Sequence, residues 1–159
     1  MNKYFAGVVL LILPLCVAQT GGQRQLLQSS VKGNQQMYSL IVSVNKLRNA
    51  KGQVQFSLYN KKRTIPDQYY KKYFRQLKGK IINGRSTVRF QHLPKGRYAV
   101  NILHDENNNG KIDKGFILPV EGIGFSNFQS IALRNRPNFK RACFELKGNM
   151  NKSVKIIYF

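Results

Sequence analysis

The sequence predicts an all-β domain, and three observations lead to that prediction. Apolar residues alternate with polar ones in several short runs, residues that favour turns separate those runs, and the chain has the length of one domain. The 159 residues are 42% hydrophobic and 21% charged, a composition typical of globular proteins rather than of disordered or collagen-like chains. We expect one modest core and not two from a chain of this length.

Alternation with a period of two defines about seven predicted strands. Leu40, Val42 and Val44 share one face of the first run, and the later runs repeat that pattern. Asn83-Gly84 separates the third run from the fourth and is a strong hairpin signal, because both residues tolerate positive φ. In chain order the predicted strands are 38–44, 54–59, 80–82, 87–90, 98–103, 141–146 and 154–158. This spacing predicts an antiparallel β-sandwich of immunoglobulin-like or transthyretin-like type.

The segment 66–77 departs from the strand pattern and predicts one short helix. Pro66 suits a first helical turn, and Asp67 suits the positive end of a helix dipole. Four apolar residues recur at helical spacing with basic residues between them, namely Tyr70, Tyr73, Phe74 and Leu77. We therefore expect a helix that bridges two strands.

The first 18 residues have the pattern of a cleaved secretory signal peptide. Lys3 precedes an apolar run over 5–17, and Ala18 provides a small residue before a cut at Gln19. The run is shorter than the ~20 apolar residues that cross a bilayer, so no membrane span is expected after cleavage. Lipidation of Cys16 is the alternative. The sequence thus predicts export to the periplasm or the medium, a flexible lead over 19–37 and a β-sandwich domain over 38–159.

Charge is the unusual feature of the composition. The chain has 27 Lys and Arg residues against 6 Asp and Glu, a net charge of +21 that becomes +20 once Lys3 is cleaved. Such a surface favours an anionic partner, for example a component of the cell envelope. Segment 61–80 carries eight basic residues interleaved with aromatic ones, a pattern that also suits single-stranded nucleic acid. Because no nucleic-acid-binding motif is present and the chain has an export signal, we expect no nucleic-acid partner; a merely solvated basic face remains open.

An acidic segment near the middle of the chain predicts a calcium loop. Four of the six acidic residues lie within 17 positions, at Asp105, Glu106, Asp113 and Glu121. Side-chain oxygens recur at alternate positions before Gly110, which is the order of the first two-thirds of a calcium-binding loop. The candidate ligands are the side chains of Asp105, Asn107, Asn109 and Asp113 and the backbone carbonyl of Lys111.

Two features of that loop leave an alternative open. Phe116 occupies the twelfth position, where a bidentate glutamate belongs, and Glu121 could replace that ligand only by folding back. We therefore expect weak affinity for calcium. In the alternative, the Asp and Asn side chains bond their own backbone as Asx-turns without metal.

No group of residues in the sequence predicts catalysis. His92 and His104 are isolated, and neither a zinc-ligand spacing nor a nucleophile motif is present. We read His104 as a packing residue at a strand end and Cys143 as an unreactive thiol on a strand. We expect a binding module that is not an enzyme, with its ligand near the acidic loop or the basic segment. A structural protein held to anionic glycan or lipid is the alternative function.

A second cluster follows the acidic segment, at Gly122, Gly124, Ser126 and Asn127. We expect a tight loop whose glycines adopt positive φ. The alternative is a rim of backbone N–H donors around a ligand.

Three stretches of the sequence carry a family resemblance. They are LPKGRYAVNILHDENNNGKID at 93–113, PVEGIGFSN at 119–127 and RPNFKRACF at 136–144. Together they resemble the exported bacterial domains catalogued as domain of unknown function 2141, over roughly 38–159. The resemblance implies a small secreted β-sandwich and implies no activity. The family usually has Gly-Ile-Pro where this chain has Ile117-Leu118-Pro119, so the loop after Asp113 is expected to follow its own path.

Overall fold

The computed structural model describes residues 35–116 and 118–159, and these residues form two β-sheets. The all-β sandwich prediction is confirmed. The predicted signal peptide and residues 19–34 of the predicted lead lie outside the described residues. Within the described part of the chain, no helix is both long enough and apolar enough to span a membrane.

Eight strands and one four-residue helix make up the described fold. They are β1 (Met37–Asn45), β2 (Gln53–Tyr59), β3 (Arg75–Gly79), β4 (Arg85–Pro94), β5 (Gly96–Asp105), β6 (Gly122–Phe125), α1 (Phe139–Ala142), β7 (Phe144–Leu146) and β8 (Met150–Lys155). The predicted hairpin turn is present before β4, where Asn83 and Gly84 have φ of 51° and 70°.

The strands pair in two sheets that share one core. The first sheet has the order β4-β1-β8; the second has the order β3-β2-β5-β6, and β7 pairs with the start of β5. The pairing of β1 with β8 is parallel, from Leu40 opposite Met150 to Asn45 opposite Lys155, whereas the other strand pairs are antiparallel. The sequence did not predict that parallel pair, because the partners lie more than 100 positions apart.

Strand β5 is buried on both of its faces. Val100 and Ile102 face the core between the two sheets, with residues such as Val42 and Phe56. Ala99 and Leu103 face a second apolar cluster on the opposite side of the second sheet. Loops and α1 cover that side, through the residues Ile65, Tyr70, Phe128, Phe139 and Ala142. The second sheet is therefore packed on one face by strands and on the other by loops.

The predicted helix over 66–77 is wrong. Residues 66–74 form irregular turns, and strand β3 begins at Arg75. Tyr70 has a φ of 48°, which a right-handed helix does not allow. The backbone N–H of Phe74 instead donates to Leu58 at 2.7 Å, and Leu77 lies opposite Phe56. Pairing with the free edge of β2 thus overrides the helical spacing of the side chains.

Three predicted strands also differ from the structure. Of the last one, 154–158, only Val154 and Lys155 lie in β8, which begins at Met150, and Ile157 forms an isolated bridge with Ile123. Residues 80–82 form only an isolated bridge between Ile82 and Arg85, because β3 ends at Gly79. The run 141–146 begins as the end of α1 and becomes strand β7 only at Phe144. The side chain of Asn138 caps α1 by accepting from the N–H of Arg141 at 3.0 Å. Cys143 consequently ends a helix and does not lie on a strand.

The expected glycine turn after the acidic loop is wrong as well. Gly122 and Gly124 belong to β6, and neither has positive φ. They are glycines because β8 and the residues after it pass close by. A Cβ on Gly124 would lie 2.3 Å from the carbonyl oxygen of Lys155, and one on Gly122 would lie 2.3 Å from the ring of Tyr158. Positive φ occurs nearby at Asn127, with φ of 65°.

Candidate functional site

The acidic loop leaves the end of β5 and is organised by Asp105. This residue is fully buried, and its carboxylate accepts the backbone N–H groups of Asn109 and Gly110, both at 3.0 Å. The side chain of Gln53 donates to the same carboxylate at 3.3 Å. Gly110 has a φ of 76°, so the chain reverses there in a conformation that glycine adopts without strain. Asp105, the first predicted ligand, therefore stabilises the loop through hydrogen bonds to its backbone.

Two of the other predicted ligands, Asn107 and Asn109, contact Asp113. The side-chain amides of Asn107 and Asn109 donate to its carboxylate, at 2.5 Å and 2.8 Å for the shortest contacts. Asn109 in turn accepts the backbone N–H of Lys111 at 3.0 Å through its side-chain oxygen. All five predicted residues thus lie in one loop, which is held by hydrogen bonds of both side-chain and backbone groups.

Glu121 folds back onto the loop across the intervening segment. One carboxylate oxygen accepts the N–H of Glu106 at 2.9 Å, and the other accepts the N–H of Asp113 at 3.2 Å. Burial raises the pKa of this carboxyl, the two backbone donors oppose the rise, and the charges of Asp113 and Asp105 add to it. The fold therefore brings the carboxyl group of Glu121 against the backbone of the loop at Glu106 and Asp113.

Glu106 fastens the loop to the connection between β1 and β2. Its carboxylate receives Arg48 Nε at 2.7 Å and Asn49 Nδ2 at 3.0 Å. Partial burial would raise the pKa of Glu106, but these donors and the charge of Arg48 outweigh burial and lower it. Arg48 also donates to the carbonyl of Val120 at 3.0 Å. One guanidinium therefore joins both ends of the long β5–β6 connection.

The side-chain atoms of the loop that could coordinate a cation are carboxylate and amide oxygens. Across residues 35–116 and 118–159, no three His, Cys, Asp or Glu side chains are grouped as metal ligands. The ring of His104 is buried and bonds Tyr158 Oη at 2.7 Å and the carbonyl of Lys51 at 3.0 Å, and its Nδ1 lies 3.8 Å from a carboxylate oxygen of Glu106. Asn107 and Asn109 would therefore have to supply amide oxygens to any cation held there.

A cavity of about 540 Å³ lies beside the acidic loop, on the loop-covered face of the second sheet. Its volume falls within the ~300–1,000 Å³ range of small-molecule sites. Most of its lining is apolar, from Pro66, Ile112, Leu118, Pro119, Ile123, Phe125, Ile131, Ala132, Leu133, Pro137 and Phe159. Leu118 and Leu133 are 52% and 81% exposed, so the outer part of the cavity presents apolar side chains to solvent.

Asn101 is one of the five polar residues in that lining, with Asp67, Gln68, Lys114 and Arg136. It is 1% exposed, and neither its Nδ2 nor its Oδ1 has a hydrogen-bond partner among the residues that the structure describes. Asn101 lies on the inner strand β5, opposite Phe125 of β6. An amide left in this state costs about 1–3 kcal/mol for each unsatisfied group. We call these two amide atoms the polar pole of the cavity.

Other polar side chains surround the polar pole. Asp67 also lines the cavity, and its carboxylate accepts from Tyr59 Oη at 3.3 Å and from the N–H of Lys72 at 2.7 Å. Burial raises the pKa of the Tyr59 and Tyr70 phenols; the Asn101 amide opposes that rise through its proximity to both hydroxyls, although it forms a hydrogen bond of normal geometry with neither. The Tyr70 hydroxyl is also buried without a partner in the described part of the chain. Of these surrounding side chains, Asp67 is the one that lines the cavity together with Asn101.

Neither Asn101 nor the cavity was predicted from the sequence. The available signal was a polar residue between Ala99 and Leu103, which face the same side of β5 and are both fully buried. Period-two alternation could not show that this face of β5 is buried, because it does not distinguish a face covered by loops from a face open to water.

A second cleft, of about 490 Å³, lies on the basic segment. Four cationic side chains line it, namely Lys62, Arg63, Arg97 and Lys140, together with Ile65, Asn138 and Phe139. All four cations are exposed. Arg97 donates to the thiol sulfur of Cys143 at 2.6 Å. The basic segment predicted from the sequence thus contributes two of the four cations, and the other two come from β5 and α1.

The fold and these sites define a small two-sheet β protein with an amide-and-carboxylate loop beside an apolar cavity. The chain belongs to the family described as an uncharacterized protein conserved in bacteria, domain of unknown function 2141, whose model matches residues 42–155. The resemblance seen in the sequence is thereby confirmed. Searches of curated proteins and of solved structures found no match to this chain.

Proposed function

We propose that this protein is an exported binding module without catalytic activity, and that the 540 Å³ cavity is its ligand site. The polar pole at Asn101 is the observation that carries the proposal. A fold retains a buried amide without partners at a cost, and a ligand that bonds this amide would remove that cost on binding. The signal pattern at the start of the sequence supports export, to the periplasm or the medium.

A fluorescent apolar probe tests the cavity directly. N-phenylnaphthylamine gains fluorescence when it leaves water, so the mature protein should give a saturable signal. Ala132→Trp adds bulk at an exposed position of the cavity lining and should abolish that signal. Ile82→Trp adds the same side chain at an exposed hairpin position outside the lining and should leave it unchanged. Equal signals from both variants would contradict the cavity as the site.

We also propose that the acidic loop binds calcium and that the bound ion stabilises the domain. Its ligands would be Asp105, Asn107, Asn109 and Asp113 through side-chain oxygens and Lys111 through its carbonyl. The convergence of two amide groups on the Asp113 carboxylate supports this proposal, because a cation could replace those N–H donors once each amide turns its oxygen inward. Glu121, whose carboxylate accepts the N–H of Asp113, would add negative charge beside the ion. Affinity is expected to be weak, with Kd about 10⁻⁴–10⁻³ M.

A thermal melt separates calcium binding from Asx-turns without metal. At roughly ten times Kd, mass action adds about 1.4 kcal/mol of stability, which raises Tm by a few degrees. Asp113→Asn keeps the shape of the side chain and removes one carboxylate, so it should lose most of the rise. The exposed Glu145 lies in β7, outside the loop, and Glu145→Gln should retain it. No calcium-dependent rise in the unmodified protein would leave the Asx-turns as the correct interpretation.

The second candidate function is a structural protein that holds to anionic glycan or lipid of the cell envelope. The cleft lined by four cations favours it. Binding of this kind should be removed by salt, since the Debye length falls to about 3 Å at 1 M. The test is co-sedimentation with phosphatidylglycerol vesicles at low and high salt. Lys62→Glu with Arg63→Glu should weaken it more than the same charge change at Arg89 and Lys155, which are exposed and outside the cleft.

A further inference from the structure

We infer that the ligand of the cavity is an apolar molecule with an uncharged group that both donates and accepts hydrogen bonds, such as a primary or secondary carboxamide. This inference rests on the proposed function, because it names the chemistry of a ligand for the same cavity. Three properties of the lining lead to it.

The first property is the pairing capacity of the polar pole. Asn101 offers one amide N–H₂ donor and one carbonyl acceptor, and both are unpaired within the described chain. A carboxamide has the complementary pair of groups and can satisfy both at once. An ester offers only acceptors, so it would leave the Asn101 carbonyl without a donor.

The second property is the negative charge in the same wall. The carboxyl group of Asp67 is 4% exposed and lines the cavity with Asn101. A ligand carboxylate or phosphate at the polar pole would face this group in a poorly solvated site, where repulsion between like charges is strong. The buried end of the cavity therefore selects an uncharged head group.

The third property is the extent of the apolar lining. Eleven of the sixteen lining residues are Pro, Ile, Leu, Ala or Phe, and the two cationic lining residues, Lys114 and Arg136, are exposed. An acyl chain or another apolar body would cover this surface, including the exposed Leu118 and Leu133. The ligand thus has its apolar part against the loops and its head group against β5.

Displacement of N-phenylnaphthylamine by a matched series of eight-carbon ligands tests the inference. Octanamide donates and accepts, methyl octanoate only accepts, and octanoate carries a charge. Octanamide can donate to the Asn101 carbonyl, which methyl octanoate leaves without a donor, so octanamide should bind about tenfold or more tightly than methyl octanoate. Octanoate should bind more weakly than octanamide, and octanoate affinity equal to that of octanamide would overturn the inference.

A substitution at the polar pole identifies the residue responsible. Asn101→Leu has nearly the same shape without polar atoms, so octanamide should lose its advantage and bind like methyl octanoate. If the leucine variant does not fold, Asn101→Ala replaces it, because alanine adds no atoms at this position. Octanamide should lose its advantage in that variant too. An unchanged preference for octanamide in either folded variant would show that Asn101 is not the selecting group.

The outcomes distinguish this inference from the proposed function. If neither the fluorescent probe nor any of the three ligands binds, the cavity is not a ligand site and the proposed function fails. If the probe binds and all three ligands displace it equally, the cavity remains the site and only the inferred ligand class is wrong.

Discussion

Replacing Gly124 with alanine tests how closely the second sheet approaches the end of β8. The added Cβ would lie 2.3 Å from the carbonyl oxygen of Lys155 and 2.9 Å from Cγ1 of Ile102. Ordinary contact at such a carbon is about 3.4 Å or more, so strands β6 and β8 would have to separate by about 1 Å. The atom in the way belongs to the backbone and cannot turn aside as a side chain can.

The cost of that separation follows from two contributions. Overpacking of this kind costs about 1–3 kcal/mol. Separation would also weaken the pair of hydrogen bonds between Ile123 and Ile157, at 3.0 Å and 2.8 Å, each worth about 0.5–1.5 kcal/mol. Alanine offsets about 0.4–1 kcal/mol by restricting the unfolded chain. We expect a net loss of about 2–4 kcal/mol in the free energy of unfolding.

Urea unfolding measures this loss, and two other glycines calibrate it. With a slope of about 2 kcal/mol per M, the midpoint should fall by about 1–2 M. The urea midpoint of Gly122→Ala should fall less, because the added Cβ would meet side-chain atoms of Tyr158 and Ile156 that can shift. Gly148→Ala meets no described atom within 4 Å and should change little. If Gly124→Ala unfolds at the same urea concentration as Gly148→Ala, the close approach inferred for β6 and β8 is wrong.

Two further predictions concern export and a buried hydroxyl. Intact-mass measurement of the protein recovered from an expressing bacterium should give a chain that begins at or near Gln19, and an acylated Cys16 at the amino terminus would contradict the signal-peptide prediction. Ser126 accepts the N–H of Val100 at 2.9 Å and donates to the carbonyl of Ala142 at 2.6 Å. Ser126→Ala leaves that buried N–H without its acceptor and should lower stability by about 1–3 kcal/mol in the same urea assay, whereas an unchanged midpoint would show that another group satisfies it.

The sequence predicted most of the strands because their alternation has a direct physical cause. Val42, Phe56 and Ile102 face one core between two sheets, and a side chain on every second residue is what such a core requires. The turn at Asn83-Gly84 was equally accessible, since it depends on two adjacent residues and their tolerance of positive φ.

Prediction failed where a distant strand determined the local structure. Leu77 and Phe74 have helical spacing, but they lie beside β2, whose edge offers backbone partners. Gly122 and Gly124 suggested a turn, but their missing side chains make room for Tyr158 and Lys155. In both cases the deciding contact comes from a segment more than 15 positions away, which a local pattern does not contain.

The candidate sites follow from the unequal covering of the second sheet. One face packs against another sheet, where alternating apolar side chains interdigitate. The other face is covered by loops and α1, whose irregular backbone does not match a pleated surface. The cavity and the polar pole at Asn101 lie on that second face, where packing leaves space and a strand residue can remain polar. Loops that cover a rigid sheet can also change in sequence without disturbing the core.

The acidic loop and the cavity share one segment of chain. Asp113 accepts the amides of Asn107 and Asn109, while its neighbours Ile112 and Lys114 line the cavity. The N–H of Val120 donates to the carbonyl of Asp113 at 2.9 Å, which fixes the far end of the same segment. A cation that drew Asp113 toward Asp105 would therefore move the wall of the cavity as well. The bound cation would thereby change the affinity of the cavity for its ligand by some factor. Because linkage is reciprocal, the bound ligand would change the affinity of the loop for the cation by that same factor.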